Sequence, residues 1–205
     1  MSRVRTAVLI SGRGSNLSAL VEAARAADYP AEIALVISNK EDATGLAVAR
    51  DASVPTKIIP HKIFASRQEF DAAVDAALRE AGITLVCEAG FMRIHSEWFV
   101  KRWEGRLLNI HPSLLPAFPG IRVHQQALDA GAKVSGCTVH FIVAELDSGP
   151  IIAQAAVPVL DGDTAETLAA RILVEEHRVY PEALRIVAEK KVKLENGRVI
   201  FSNNK

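Results

Sequence analysis

The sequence predicts an α/β protein built on a doubly wound, mostly parallel sheet, with helices on both faces and antiparallel strands at one edge. Three observations carry that expectation. Short apolar runs of strand character alternate with segments of helical period along nearly all of the 205 residues, the pattern of repeated βαβ units. Two strand-like runs near 137–160 follow one another with no helix between them, which points to antiparallel pairing. Apolar residues make up 49% of the chain, enough for a sizeable core.

Taken in order, RTAVLISG (5–12) reads as a first strand, and NLSALVEAARAA places Leu17, Leu20, Val21 and Ala24 at helical spacing. EIALVIS (32–38) is a second strand, GLAVARDA (45–52) a short helix and TKIIP (56–60) a third strand. Ser66 caps a helix that carries an apolar stripe of Phe70, Val74, Ala77 and Leu78 and closes at Gly82. TLVCEAGF (84–91), SEWFVKRW (96–103), RLLNIH (106–111) and HQQALDAG (124–131) continue the alternation as strand, helix, strand and helix. CTVHFIV (137–143) and PIIAQAAVPVL (150–160) are the back-to-back strands. A long helix from about Thr164 to about Lys190 follows, which Pro181 is expected to break or kink. KLENGRVIF (193–201) is a hairpin with Asn-Gly at its turn.

Composition excludes several classes of function. The 24 basic and 24 acidic residues cancel, so the chain has no overall electrostatic footprint for nucleic acid or an anionic membrane. No apolar run approaches the roughly 18 residues of a membrane span, and the opening MSRVRTAVLISG is too short in apolar residues for a signal peptide. The expectation is a soluble cytoplasmic protein. Cys87 and Cys137, 50 residues apart in apolar segments, read as buried thiols rather than a disulfide or a metal pair.

In a doubly wound fold ligands bind at the carboxyl ends of the strands. Segments 11–17, 88–95, 109–120 and 143–150 lie there. In SGRGSNL (11–17), Gly12 and Gly14 allow a tight turn, Ser15 or Asn16 caps the helix, and free backbone N–H groups offer an anion site. The loop is neither a P-loop nor a dinucleotide fingerprint, since no Gly-Lys follows and Leu17 stands where a third glycine would be. A single phosphate is its functional reading, and a plain strand-to-helix turn the alternative.

LLNIHPSLLPAFPG (107–120) places Asn109 and His111 on one side of a strand end and braces the exit with three prolines and a glycine. In ELDSGP (145–150), Asp147 is either an ordinary turn residue or a carboxylate beside His111. A carboxylate there would favour the protonated imidazole and hold it as a proton donor, while Asn109 donates to an oxyanion. An acid, an oxyanion donor and a carboxylate, without a nucleophilic Ser or Cys, suit direct acyl transfer to an amine. Lys101, Arg102 and Arg106 read as a solvated helix face, with a binding patch the alternative; His124 and His140 read as structural, with an approach to the site the alternative; His61 has no visible partner.

With NIHPSLLP (109–116) and LDSGPI (146–151), the chain resembles the folate-dependent formyltransferases. LISGRGSNL, SNK, AGFMRI, GRLLNIHPSLLPAFPG, GCTVHF and EEHRVYP, in that order, resemble the members that formylate glycinamide ribonucleotide in purine biosynthesis. The resemblance implies one domain over 1–205, with a nucleotide- and phosphate-binding half (1–100) and a catalytic and folate-binding half (101–205), and neither a regulatory nor a tRNA-binding domain. It implies that Gly14, Ser15 and Asn16 hold the ribonucleotide phosphate and that Glu176 contacts its sugar or glycinamide part. Arg67, Met92, Arg93, Ile94, His95 and Asn109 would border the folate, and Asn109, His111 and Asp147 would be catalytic. The implied co-substrate is 10-formyltetrahydrofolate, with no metal, no nucleic acid and no membrane partner; the assembly would be a monomer or a homodimer.

Two positions depart from that family, which usually has Leu where this chain has Glu88 and His95. If His95 faces the folate cleft, Glu88 is its expected counter-charge. The rival readings are a formyltetrahydrofolate hydrolase, which has no need of a phosphate anchor, and a non-catalytic phosphometabolite-binding protein.

Overall fold

The computed structural model describes residues 2–202. Its main sheet contains β1 (Val4–Ile10), β2 (Ala31–Ser38), β3 (Thr56–Ile58), β4 (Leu85–Glu88), β5 (Leu107–His111), β6 (Val134–Phe141) and β7 (Ile151–Pro158). The strand order is β3-β2-β1-β4-β5-β6-β7. The first five strands in that order are parallel, and β6 and β7 run antiparallel, as the missing helix between them required. The chain winds outward from β1 to β3 and then resumes on the other side of β1 at β4. That reversal opens a crevice at the carboxyl ends of β1 and β4.

The helices are α1 (Ser15–Ala24), α2 (Gly45–Asp51), α3 (Arg67–Glu80), α4 (Glu97–Arg102), α5 (Val123–Asp129) and α6 (Ala165–Ala188). One sheet face packs Val8, Ile10 and Leu108 against Leu17 and Leu20 of α1, Leu46 of α2, Ala127 of α5 and Ile172 and Leu184 of α6. The other packs Ala7, Leu9 and Val86 against Phe70, Val74 and Leu78 of α3 and Phe99 of α4. Alternate residues of one strand serve opposite cores, so the central strands read as continuous apolar runs. Each fully buried Leu or Phe side chain contributes about 1.5–3 kcal/mol.

The Ser66 hydroxyl accepts from the Glu69 N–H, the expected cap of α3. The tail forms a hairpin of β8 (Val192–Glu195) and β9 (Arg198–Phe201), with Asn196 and Gly197 both at positive φ. Pro181, however, does not break α6, which runs unbroken through it. Proline in a helix interior costs about 3 kcal/mol, but here Val179, Tyr180, Ala183 and Leu184 bury the turns on either side. Thr164 and Thr167 form a capping box, and the Tyr29 hydroxyl donates to the Pro181 carbonyl at 2.6 Å. Tertiary burial outweighs the one lost backbone bond. A short 3-10 turn at His61–Ile63, too brief to show a period in sequence, links β3 to α3.

Candidate active site

Residues 107, 109 and 111 of β5 face the α3 and α4 side of the sheet, while Leu108 and Ile110 enter the opposite core. This alternation brings Asn109 and His111 to one side at the strand end. The His111 side chain is buried, with Nε2 facing the Phe118 carbonyl at 3.0 Å and Nδ1 standing 3.5 Å from Oδ1 of Asp147. Asp147 sits at φ 51°, and its Oδ2 accepts from the Gly120 N–H at 2.8 Å. The proline-rich exit from β5 therefore has a structural purpose. Residues 112–120 fold back to supply a carbonyl to His111 and an amide to Asp147.

The turn bearing Asp147 reaches this place because of Gly149, where a Cβ would lie 1.7 Å from the Phe141 carbonyl oxygen. Thr138 of β6 braces the other side of the loop: its Oγ1 donates to the Ser113 carbonyl at 2.7 Å and accepts from the Leu115 N–H at 3.0 Å.

Asn109 has a partner in His140, which the sequence left open between a structural part and an approach to the site. His140 of β6 lies opposite it in register, and its Nε2 is 3.3 Å from Asn109 Nδ2. His140 Nδ1 faces the Phe141 carbonyl at 2.9 Å. A carbonyl only accepts, so Nδ1 carries the proton and Nε2 accepts from Asn109. Burial lowers the His140 pKa, in keeping with this neutral tautomer. One Asn109 N–H is thereby fixed and the other left for a ligand. The alternation in GCTVHF, with Cys137, Val139 and Phe141 in the core, was the available signal.

The glycine loop differs from expectation at its cap. Neither Ser15 nor Asn16 caps α1; the N-cap is Gly14 in left-handed conformation, with no side-chain hydrogen bond. Gly14 packs backbone to backbone on Gly45, whose Cα would be 2.6 Å from any Cβ at position 14. A side-chain cap is displaced by this close approach. The first-turn N–H groups of α1 therefore remain free for an anion, and a Cβ at Gly12 would meet open space. Asn16 instead turns to α6, donating to Glu176 Oε2 at 2.5 Å, while its own Oδ1 is buried without a partner. Burial raises the Glu176 pKa, opposed by the Asn16 bond and the nearby His111 charge. Asn16 thus ties the glycine loop to α6, and His111 at the end of β5 lies near enough for its charge to act on Glu176.

On the crevice side, Met92 and Ile94 are 69% and 52% exposed, Arg93 is exposed, and Arg67 is exposed at the start of α3. The Met92 N–H donates to Ser11 Oγ at 2.8 Å. His95 requires a correction. Its ring does not border the cleft but is 7% exposed, stacked between Phe91 and Phe99. Nδ1 lies 2.8 Å from Asp71 Oδ1 and Nε2 2.5 Å from Glu88 Oε1, so Glu88 is its partner as expected. Two carboxylates and two aromatic faces make the buried position favourable for an imidazolium.

Other expectations resolve simply. Arg102 is paired with Asp75 at 2.7 Å rather than only solvated, and His61 contacts Asn39 at 3.1 Å. His124 is half-buried, its pKa lowered by burial and by His111. Cys87 and Cys137 are free and buried. Among the described residues no group of three or more His, Cys, Asp or Glu side chains is placed to hold a metal, and no helix is long and apolar enough to cross a membrane.

The doubly wound fold brings the uncapped start of α1, and Asn109, His111 and Asp147, to the carboxyl ends of its strands. The chain belongs to the formyl transferase family, which matches residues 4–184. It is 43% identical over 187 residues to the phosphoribosylglycinamide formyltransferase of Escherichia coli, covering 91% of this chain and 88% of that protein. It is 52% identical over 200 residues to the bovine trifunctional purine biosynthetic protein adenosine-3, covering 97% of this chain. The chain spans only 20% of the length of that curated relative. Glycinamide ribonucleotide transformylase 1 of Symbiobacterium toebii superposes with a TM-score of 0.95 at 50% identity, covering 97% of this chain and 94% of that one.

Proposed function

We propose that this chain transfers the formyl group of 10-formyltetrahydrofolate to the amine of glycinamide ribonucleotide. The observation that carries this reading is the placing of Asn109, His111 and Asp147 together at the carboxyl end of β5, with no Ser or Cys nucleophile among the three. The names of the relatives point the same way.

In this account the ribonucleotide phosphate binds the free amides of Gly14, Ser15 and Asn16, favoured by the helix dipole. Glu176 accepts from the sugar or glycinamide part, held by its bond from Asn16. Formyl-folate lies along Arg67, Met92, Arg93 and Ile94, with its formyl oxygen at Asn109. In this account the ligand contacts cross the expected division at residue 100, because the folate edge Met92–Ile94 precedes it and the ribonucleotide contact Glu176 follows it.

The substrate amine attacks the formyl carbon, and the carbonyl oxygen becomes an oxyanion that accepts from Asn109 Nδ2 and from His111 Nε2–H, which must first leave the Phe118 carbonyl. The amine gives up a proton, N10 of the folate gains one, and the bond between N10 and the formyl carbon breaks. Asp147 holds His111 in place and stabilises its charge while the proton moves. Formyl transfer therefore leaves tetrahydrofolate and the formylated amide, with no covalent enzyme intermediate. The test is release of deformylated folate with and without glycinamide ribonucleotide. Release that requires the ribonucleotide supports transfer; release without it, or none, overturns the reading.

A further inference from the structure

The segment 91–96 joins β4 to α4 without regular secondary structure, yet it is held at both ends. At one end Ser11 accepts from the Met92 N–H and donates to Asn39 Oδ1 at 2.6 Å. At the other, Asp71 of α3 serves two groups: Oδ1 accepts from His95 Nδ1, and Oδ2 accepts from the Ser96 N–H at 2.6 Å. Glu88, the last residue of β4, takes the second ring nitrogen of His95. The His95 ring lies 5.5 Å from that of Phe91 and 4.3 Å from that of Phe99, with interplanar angles of 18° and 19°. Between the stacked Phe91 and His95, only Met92, Arg93 and Ile94 emerge.

We infer that His95, held between Asp71 and Glu88, is a positioning residue that fixes Met92–Ile94 as a rigid edge of the site. The inference rests on the proposed formyl-folate reading for what the edge meets. The charge of His95 supports it: burial opposes the imidazolium, but the Glu88 charge and the bonds to Asp71 and Glu88 raise its pKa to about 9. Glu88 also stands opposite Asn109 in the sheet register, so the same pair anchors the strand beside the proposed oxyanion donor. Removing His95 alone leaves two buried carboxylates without their shared cation, whereas replacing both His95 and Glu88 by leucine removes one of them and leaves Asp71 its bond from the Ser96 N–H.

The experiment compares wild type, His95→Leu, His95→Gln and the Glu88→Leu/His95→Leu double variant by steady-state kinetics and by amide hydrogen exchange. His95→Leu is expected to raise the formyl-folate KM by about tenfold or more, with a smaller change in the ribonucleotide KM and in kcat. Exchange is expected to rise at 92–96 and not across the sheet, and the double variant to regain most of the lost folate KM. If His95→Leu does not fold, His95→Gln carries the same comparison. Both KM values and kcat shifting together, exchange rising throughout the sheet, or additive single and double effects would overturn the inference. A wild type that consumes no formyl-folate sinks the proposed function instead, and the exchange pattern still decides whether His95 fixes the segment.

Discussion

Nδ1 of His111 and Oδ1 of Asp147 stand 3.5 Å apart at the ends of segments that are 36 residues distant in the chain (147 − 111). The separation is wider than a tight hydrogen bond, and catalytic contacts often shorten only when substrate is bound. Asp147 is held by the Gly120 amide on its other oxygen.

Asp147→Asn preserves shape and an acceptor for the Gly120 amide while removing the charge. It is expected to lower kcat by about a hundredfold or more, with little change in either KM. Steady-state kinetics check this. Turnover near wild type would return Asp147 to the part of an ordinary turn residue.

Asn109→Ala removes the proposed oxyanion donor and is expected to cost about 10²–10³ in kcat. His140→Ala leaves Asn109 present but unfixed, so its loss in kcat is expected to be smaller. A His140 variant more damaging than Asn109→Ala would mean that the histidine acts directly on the substrate.

Glycinamide riboside, which lacks the phosphate, is expected to lose at least about a hundredfold in kcat/KM, roughly 2.7 kcal/mol. The motive is the row of uncapped amides at α1. Riboside and ribonucleotide reacting equally well would remove the loop from the mechanism.

The sequence made some of this legible and concealed the rest for physical reasons. Ser66, the Asn196-Gly197 turn and the helix-free run at 137–160 are local signals, and local geometry follows them. The place of His95 depends on Asp71, 24 residues earlier on another element, which periodicity does not reveal. Gly14 became the cap of α1 because Gly45, a distant glycine, allows their backbones to meet. Pro181 does not break α6, and helix propensity says nothing of the burial on either side of it. For the site, the closeness of Asp147 to His111 was one of two readings of the 145–150 turn, and His140 was readable from strand alternation only once its partner strand was known.

His95 also predicts a pH dependence of stability. Its folded pKa, about 9, lies above the ordinary value of 6.5, so the folded chain keeps a proton that the unfolded chain has already lost. That stabilisation is fully present below about pH 6.5 and lost as pH rises through about 9. Burial raises the Glu88 pKa too, so Glu88 contributes a change of the same sign at its own titration. Denaturant melts from pH 6 to 10 (approximate assay range) should show stability falling for wild type and a flatter profile for His95→Leu. Parallel profiles would show that His95 carries no extra proton in the folded state.

Formyl transfer to the ribonucleotide amine is tested most directly by following the carbon itself. The protein is incubated with folate carrying an isotopically labelled formyl group and with glycinamide ribonucleotide, and the products are separated by mass. The label is expected on the glycinamide nitrogen, one for each folate deformylated. Label recovered as free formate, or remaining on the folate, would contradict the account.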